Sequence, residues 1–486
     1  MTRLIHLKKP MQLAGLVLST GILVNLAAPA AAQPADSPQP NIVFILVDDV
    51  GWGELGTYGN TFNETPHLDR LAAQGIRFTQ AYAAAPVCSP TRASIMTGQH
   101  PARVGITDFL PGKTDRYLDP DQYVTLNEAL AASGYHTGLI GKWHLDTDFA
   151  VNRAGPDKHG FHEVIGTETK YIADGDYFFP YDKIATFTEG SENEYLTDRQ
   201  SDEACQFIER NKNNPFFLYL SYYSAHTRLE APAELVAKYS KKFDEKYGAG
   251  KAAELFGAGT IANRTARHPD NPHLAAMIER IDAGVGKLLE TLKNNGLEEN
   301  TLVVFFSDNG GPGRLGNNGH LRSGKTWLYD GGIRDPLIIR WPRRIEPRQV
   351  SHVPVISTDF YPTLIAAAGA PAPRGQEIDG ANLMPLLTRG QAPRRDALFW
   401  HYPSETGKWK ERMASAVRQG DYKLLYFYLH DRYELYDLAN DPGEKNDLAS
   451  QQPEKVAALK QRLADWKKEV NAEEPDVEIG SGRRGK

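Results

Sequence analysis

Apolar positions follow two rhythms along this chain. Residues 42–47 (IVFILV) form an unbroken apolar run, as expected of a strand buried on both faces. Runs 216–220, 302–306 and 337–341 look similar, and 136–140 is a weaker instance. Between them the period changes to steps of three and four. Leu274, Met277, Ile278, Ile281, Val285, Leu288 and Leu292 mark one face of a helix that Asn295-Gly296 should end. Residues 68–73 and 198–211 are further helix candidates. Strands alternating with helices predict an α/β fold, with a mainly parallel sheet flanked by helices.

The pattern shifts after the Pro- and Gly-rich stretch 369–375. Short β-rich pieces follow at 397–402, 414–417, 423–428 and 434–437, then one amphipathic helix at 454–470. This predicts a smaller C-terminal α+β subdomain with an antiparallel sheet. The chain therefore divides into a leader (1–32), a polar linker (33–40), a main unit (41–375), the α+β subdomain (376–472) and a polar tail (473–486).

Composition narrows the class. Of 486 residues, 41% are hydrophobic and 24% charged, which excludes disordered, collagen-like and coiled-coil chains. The formal net charge is −6 and no basic stripe is present, so nucleic acid is not an expected partner. Arg3, Lys8 and Lys9 precede a mostly apolar segment that ends in Ala30-Ala31-Ala32. That pattern reads as an export signal cleaved before Gln33, and it predicts a periplasmic or secreted protein. The alternative is an uncleaved anchor. No later segment is long and apolar enough to span a bilayer. Oligomeric state is left open.

Candidate chemistry gathers where the apolar runs end, because ligands of open α/β sheets bind outside the carboxyl ends of the strands. Asp48-Asp49 follow the first run, and Ser307-Asp308-Asn309-Gly310 follow the run 302–306. Lys142 and His144 follow 136–140, and His226 comes shortly after 216–220. Parallel strands would bring all four groups to one edge. Asp48, Asp49, Asp308 and Asn309 offer only oxygen ligands, which suits Ca²⁺ or Mg²⁺ rather than zinc. One such group alone reads as a cap or turn. Two groups at two buried strand ends favour a metal site. Lys142, His144, His226 and Lys325 would then supply cations and proton donors around an anion.

The sharpest segment is Cys88-Ser-Pro-Thr-Arg92. Ser89 suits a cap and Pro90 a first helical turn, which places Cys88 at a helix N-terminus with Arg92 four residues on. By physics alone this is an activated thiol beside a cation for an anionic group. In an exported protein, the competing reading is a disulfide between Cys88 and Cys205. Cys205, however, lies in a helical pattern and reads as a small core residue.

Cys88-Ser-Pro-Thr-Arg92 and its continuation to Gly98 resemble the signature of type I sulfatases of the arylsulfatase A kind. The segments 41–49, Gly141-Lys-Trp-His144, Ser307-Asp-Asn-Gly310, Gly324-Lys325, Gly331-Gly-Ile-Arg334 and Glu434-Leu-Tyr-Asp437 resemble further blocks of that family, in its order. The resemblance implies an alkaline-phosphatase-like fold with the main unit catalytic. It implies that a maturation enzyme oxidises Cys88 to formylglycine (3-oxoalanine), whose hydrate attacks sulfur with Ca²⁺ assistance. Asp48, Asp49, Asp308, Asn309 and the modified Cys88 would bind the Ca²⁺, Mg²⁺ being the less favoured ion. Arg92 and Lys142 would hold the hydrate and the sulfate. His144 would take the proton that collapses the intermediate. His226 and Lys325 would support the leaving oxygen, with His226 as general acid.

Asp146 and Ser323 stand where relatives often have Gly. The block 102–111 resembles bacterial carbohydrate sulfatases, which suggests a sulfated galactose or N-acetylgalactosamine substrate. Arg322, His320, His159 and Asp157 are candidate sugar-binding residues, with ordinary loop polarity as the alternative. Two other functions compete: a phosphatase or phosphonate hydrolase of the same superfold, and a non-catalytic binder of sulfated glycans.

Overall fold

The computed structural model describes residues 38–111, 116–146, 151–168, 176–184, 186–263, 265–313, 315–404 and 409–475. The proposed leader, most of the linker and most of the tail lie outside these. No described helix is long and apolar enough to cross a membrane.

Nine strands form the large sheet: β1 (Asn41–Val47), β2 (Ile76–Tyr82), β3 (His136–Gly141), β4 (Glu163–Ile165), β5 (Phe216–Ser221), β6 (Thr301–Ser307), β7 (Arg334–Arg340), β8 (Gln349–Ser351) and β9 (Val355–Ile356). Their order is β4-β3-β5-β1-β6-β7-β2-β8, with β9 beside β2. Strand β1 is central and parallel to β5 and β6, and β3 is parallel to β4 and β5. Only β7 runs against its neighbours β6 and β2. The sheet is thus mixed but mainly parallel. The run 337–341 is a buried strand as predicted, but reversed, beginning at Arg334 and ending before Trp341. Strand β2 was not anticipated, because Arg77, Thr79 and Gln80 interrupt its apolar residues.

The unbroken apolar run of β1 serves two cores at once. Val43, Ile45 and Val47 face one core, and Ile42, Phe44 and Leu46 face the other, following the two-residue alternation of a strand. Helices Leu196–Asn211, Ala233–Tyr247 and Pro272–Asn294 cover the first face. Helices Cys88–Thr97, Leu126–Ala131 and Phe360–Ala368 cover the second. The predicted helix through Leu274 and Leu292 is present and ends at Asn294, with Asn295 as its cap ahead of Gly296.

A second sheet is an antiparallel meander of β10 (Leu398–Tyr402), β11 (Ala414–Gln419), β12 (Tyr422–Phe427) and β13 (Arg432–Asp437). Helix Pro453–Glu469 packs Leu459, Leu463 and Trp466 on one of its faces. The other face meets the large sheet through Trp400, Tyr402 and Phe427 against Tyr82, Leu328 and Ile333. A buried ion network pins this junction. Lys423 Nζ lies 2.7 Å from Asp330 and 2.9 Å from Glu444. Residues 383–387 still pack into the large-sheet core, so the second sheet's own packing starts near Leu398.

Candidate active site

The parallel strands β1, β3, β5 and β6 deliver Asp48-Asp49, Lys142 and His144, Ser221 and His226, and Asp308-Asn309 to one edge of the sheet. Helix Cys88–Thr97 begins at that edge and is buried along its whole length. It ends at Gly98 in the left-handed conformation, where a side chain would press on Tyr361. The helix starts at Cys88 itself, with Val87 as the cap residue. Ser89 is therefore not the cap; its hydroxyl instead accepts the Leu110 N–H at 3.0 Å. Both cysteines are free and buried, which excludes the disulfide.

Arg92, one turn along, organises the floor. Its guanidinium donates to Asp308 Oδ2 at 3.1 and 2.7 Å, to Ser221 Oγ at 2.6 Å and to the Lys142 carbonyl at 3.1 Å, and it lies 3.5 Å from Asp48 Oδ2. Lys142 Nζ pairs with Asp48. Lys325 Nζ donates to both Asp49 oxygens at 2.6 and 2.9 Å. Three carboxylates thus face three cations in a dry site. Burial pushes all three carboxyls up. At Asp48 that push is overcome by Lys142, His226, Arg92 and Lys325, which hold it well below the usual carboxylate range. Asp49 stays raised despite Lys325, and Asp308 is raised to about 6 by burial and by Asp48.

This donor set fits a hard cation. Asn309 Nδ2 donates to Asp49 Oδ1 at 2.7 Å, which leaves Asn309 Oδ1 buried without a partner among the described residues, as is Asp48 Oδ1. Ligand atoms of Asp48, Asp49 and His226 lie within 4.8 Å of one another. Buried oxygens without donors, beside crowded carboxylates, are what an oxygen-preferring divalent ion satisfies.

The imidazoles are poised neutral. Burial, then Lys142 and Arg92, push His144 well below its usual value. Its Nε2 lies 3.0 Å from the Leu110 carbonyl, which can only accept, so the proton sits there. Nδ1 is then unprotonated and can accept from Cys88 Sγ, 3.2 Å away. Burial, then Lys325, push His226 down to about 3, and its Nε2 lies 4.0 Å from Asp49. Burial also raises the Cys88 thiol, against the pull of Lys142 and Lys325. An activated thiolate is therefore not what this helix terminus supplies.

Two contributors escaped the sequence reading. Ser221 stands at the carboxyl end of β5, where the strand-end rule that found Asp48 would have found it. Glu168 gave no local signal. Its carboxylate accepts the Trp143 N–H at 2.9 Å and the His144 N–H at 2.5 Å, and Tyr223 OH donates to it at 3.1 Å. That clamp holds His144 at φ 56°, one of several non-glycine residues here in the left-handed region. Asp49 (φ 62°), Ser323 (φ 61°) and the β-branched Thr326 (φ 75°) are others.

The candidate sugar-binding residues fare unevenly. His159 is fully buried beside Trp143, with Nε2 on the Leu118 carbonyl, so it offers nothing to a ligand. Arg322 is tied to Tyr436 OH at 2.8 Å and the Glu444 carbonyl at 2.7 Å. His320 is exposed and meets Trp52 edge-on. Asp157 lines a small cavity with Trp143, Asp146 and Glu168. Asp146 accepts the Ala154 N–H at 2.9 Å.

The family model described as Sulfatase matches residues 40–370. The chain belongs to the sulfatase family. A second family model, N-sulphoglucosamine sulphohydrolase, C-terminal, matches residues 319–469 of this sulfatase. Arylsulfatase A of Homo sapiens is 34% identical, over 90% of this chain and 89% of that one. N-acetylgalactosamine-6-sulfatase of Homo sapiens is 31% identical, over 90% and 85%. Among solved structures, Ps i-CgsB in complex with k-i-k-neocarrahexaose is 30% identical with a TM-score of 0.75, over 90% of this sulfatase and 94% of that chain. The sulfatase is a sulfuric ester hydrolase, and its fold is of the alkaline-phosphatase-like kind expected.

Proposed function

We propose that this sulfatase is exported and removes O-sulfate from a carbohydrate of galactose or N-acetylgalactosamine type, with Ca²⁺ in the acidic cluster and residue 88 matured to formylglycine. The observation that carries the site reading is the convergence of Cys88, three compensated carboxylates and two partnerless buried oxygens on one sheet edge. Asp48, Asp49, Asp308 and Asn309 would hold the ion. The hydrated aldehyde would supply a nucleophilic oxygen that can later be re-expelled, and the ion would make that oxygen more acidic.

The chain's own groups do the rest. Lys142 and Lys325, with Arg92 behind them, draw the sulfate oxygens in and stabilise charge on them. His144 Nδ1, unprotonated and aimed at residue 88, takes a proton there. His226 is neutral until an anion beside it raises its proton affinity, which suits a donor that charges only when substrate is bound. A sugar substrate draws support from the block 102–111 and from the solved complex of Ps i-CgsB with k-i-k-neocarrahexaose.

The test is sulfate release, with Ca²⁺, from a panel of aryl sulfate, galactose and N-acetylgalactosamine sulfates, and chondroitin and carrageenan oligosaccharides. The protein comes from a host that forms formylglycine, with Cys88→Ala as control. Release from one sugar class, abolished by the substitution, is expected. Sustained turnover by Cys88→Ser would overturn the formylglycine assignment. An unmodified Cys88 in that host, seen by peptide mass, would overturn it as well.

A further inference from the structure

The second sheet sends one cation back toward the site. Arg412, in the short turn Lys410–Arg412 ahead of β11, bonds through Nη1 to Thr326 Oγ1. Thr326 directly follows Lys325, and its N–H is fixed to the Pro86 carbonyl at 2.8 Å, two residues before Cys88. The Arg412 guanidinium lies over the Trp327 ring at 5.2 Å and the Trp409 ring at 5.9 Å. Trp409 in turn meets Phe109 at 5.5 Å, and the next residue, Leu110, holds His144 through its carbonyl. Arg412 and its aromatic neighbours are therefore tethered to both flanks of the reacting centre.

This arginine differs from Arg92, which faces Asp308, and from Arg322, whose Nη1 is held by Tyr436 OH and the Glu444 carbonyl and whose guanidinium lies over the Tyr329 ring. Among the described residues no carboxylate lies within ion-pair reach of Arg412, and its Nε and Nη2 have no hydrogen-bond partner. Partial burial lowers its proton affinity, against the opposing pull of Tyr402 and Glu411. Phe109, Trp327 and Trp409 each keep part of their surface exposed. A guanidinium already stacked on indole rings loses little freedom on engaging a planar or tetrahedral oxyanion. Partly exposed aromatic walls with one convergent polar group are the composition of a ligand subsite.

We propose that Arg412, flanked by Trp327 and Trp409, is a subsite for a second anionic group, sulfate or carboxylate, on the sugar next to the one being desulfated. The proposal rests on the sulfated-carbohydrate reading and makes it narrower: the preferred substrate is a polyanionic saccharide, and a singly charged one is a poor substitute.

The test separates the two readings. Calorimetry on Cys88→Ala protein compares three matched oligosaccharides: one sulfate only, a second sulfate on the neighbouring sugar, or a uronate as that neighbour. With Arg412 present, one of the doubly charged ligands should bind about tenfold or more tighter than the singly charged one, the scale of a charge-assisted hydrogen-bond pair. The winner identifies the anion. Arg412→Gln should erase the gain and Arg412→Lys should keep part of it. A gain that survives Arg412→Gln, or no gain for either ligand, overturns the subsite. Turnover gives a second check, because Arg412 also touches Thr326. If Arg412→Gln lowers kcat/KM for aryl sulfate as much as for the doubly charged saccharide, the residue acts through Lys325 and the subsite is overturned. If matured protein releases no sulfate from any ester while the Arg412-dependent gain in binding persists, the desulfation reading fails and the subsite stands.

Discussion

Replacing Arg92 with Met tests the charge balance beneath residue 88. The side chain is 1% exposed, and methionine fills most of its volume without its charge. The substitution leaves Asp308, which is fully buried, facing Asp48 and Asp49 with no guanidinium between them. Removing one partner of a buried pair costs about 3–5 kcal/mol. The lost bonds to Ser221 Oγ and the Lys142 carbonyl add about 0.5–1.5 kcal/mol each. Against a total stability of about 5–15 kcal/mol, that is a large fraction. Urea unfolding followed by tryptophan fluorescence reads it as a lower midpoint at unchanged slope. Adding Asp308→Asn to Arg92→Met should recover about 2 kcal/mol or more, because the orphaned charge is then gone. A loss under about 1 kcal/mol for Arg92→Met, or strict additivity of the two changes, would refute the claim that this cluster is held by mutual compensation.

Three further outcomes follow from the same geometry. Glu168→Gln keeps the size but loses one of the two acceptors for the Trp143 and His144 N–H groups; kcat should fall about 10- to 100-fold with KM within about twofold, as expected when a reacting group is mispositioned and binding is spared. Equal changes in kcat and KM would place Glu168 elsewhere in the reaction. Glu54 is raised by burial from its ordinary 4.5 to about 8, so the fold prefers it protonated: its contribution is full below pH 4.5 and is lost as pH rises toward 8. At about 1.4 kcal/mol per unit the ceiling is near 5 kcal/mol, and Glu54→Gln should flatten the stability-versus-pH curve in that window. Chelation should abolish sulfate release, and Ca²⁺ should restore it while raising the unfolding midpoint, by about 2.7 kcal/mol at a hundred times Kd; activity indifferent to chelator would remove the cation.

Much of the site is legible in the sequence because one physical rule speaks through local residues. Strands buried on both faces announce themselves as unbroken apolar runs, and their carboxyl ends carried Asp48, His144 and Asp308. The same rule extended one residue would have caught Ser221. It failed where position is set by pairing. Glu168 reaches His144 only because β4 pairs beside β3, a contact across 24 residues with no periodic trace. Strand β2 hides because polar residues interrupt its apolar positions. The sequence offers His159 as a candidate sugar-binding residue, with loop polarity as the alternative, but its ring is packed against Trp143, and a single histidine in a turn does not reveal which side of the chain is covered. Nothing around Arg412 in sequence is apolar-periodic or motif-like, so the sequence carries no sign of it. Its meaning comes from the second sheet folding back onto Thr326.

The balance of three carboxylates against three cations bears on what the proposed ion would add to such a site. With His144 and His226 neutral and the thiol undissociated, the buried groups sum close to zero. A near-neutral dry pocket has little to offer a sulfate ester, whose negative charge must leave water to enter. A divalent ion on Asp48, Asp49, Asp308 and Asn309 would shift that sum by two positive charges and compete with Lys142 and Lys325 for Asp48 and Asp49, which would leave the two lysines to meet the sulfate oxygens. Ion and anion therefore strengthen each other, and the coupling is reciprocal: inorganic sulfate should tighten Ca²⁺ binding by the same factor that Ca²⁺ tightens sulfate. The compensated floor also accounts for Arg92, which reaches Asp308 and Asp48 from beneath and keeps the carboxylates ionised and ordered before any ion arrives. Arg92 would thereby make the site a standing receptor for the proposed cation, and through that cation for the anion.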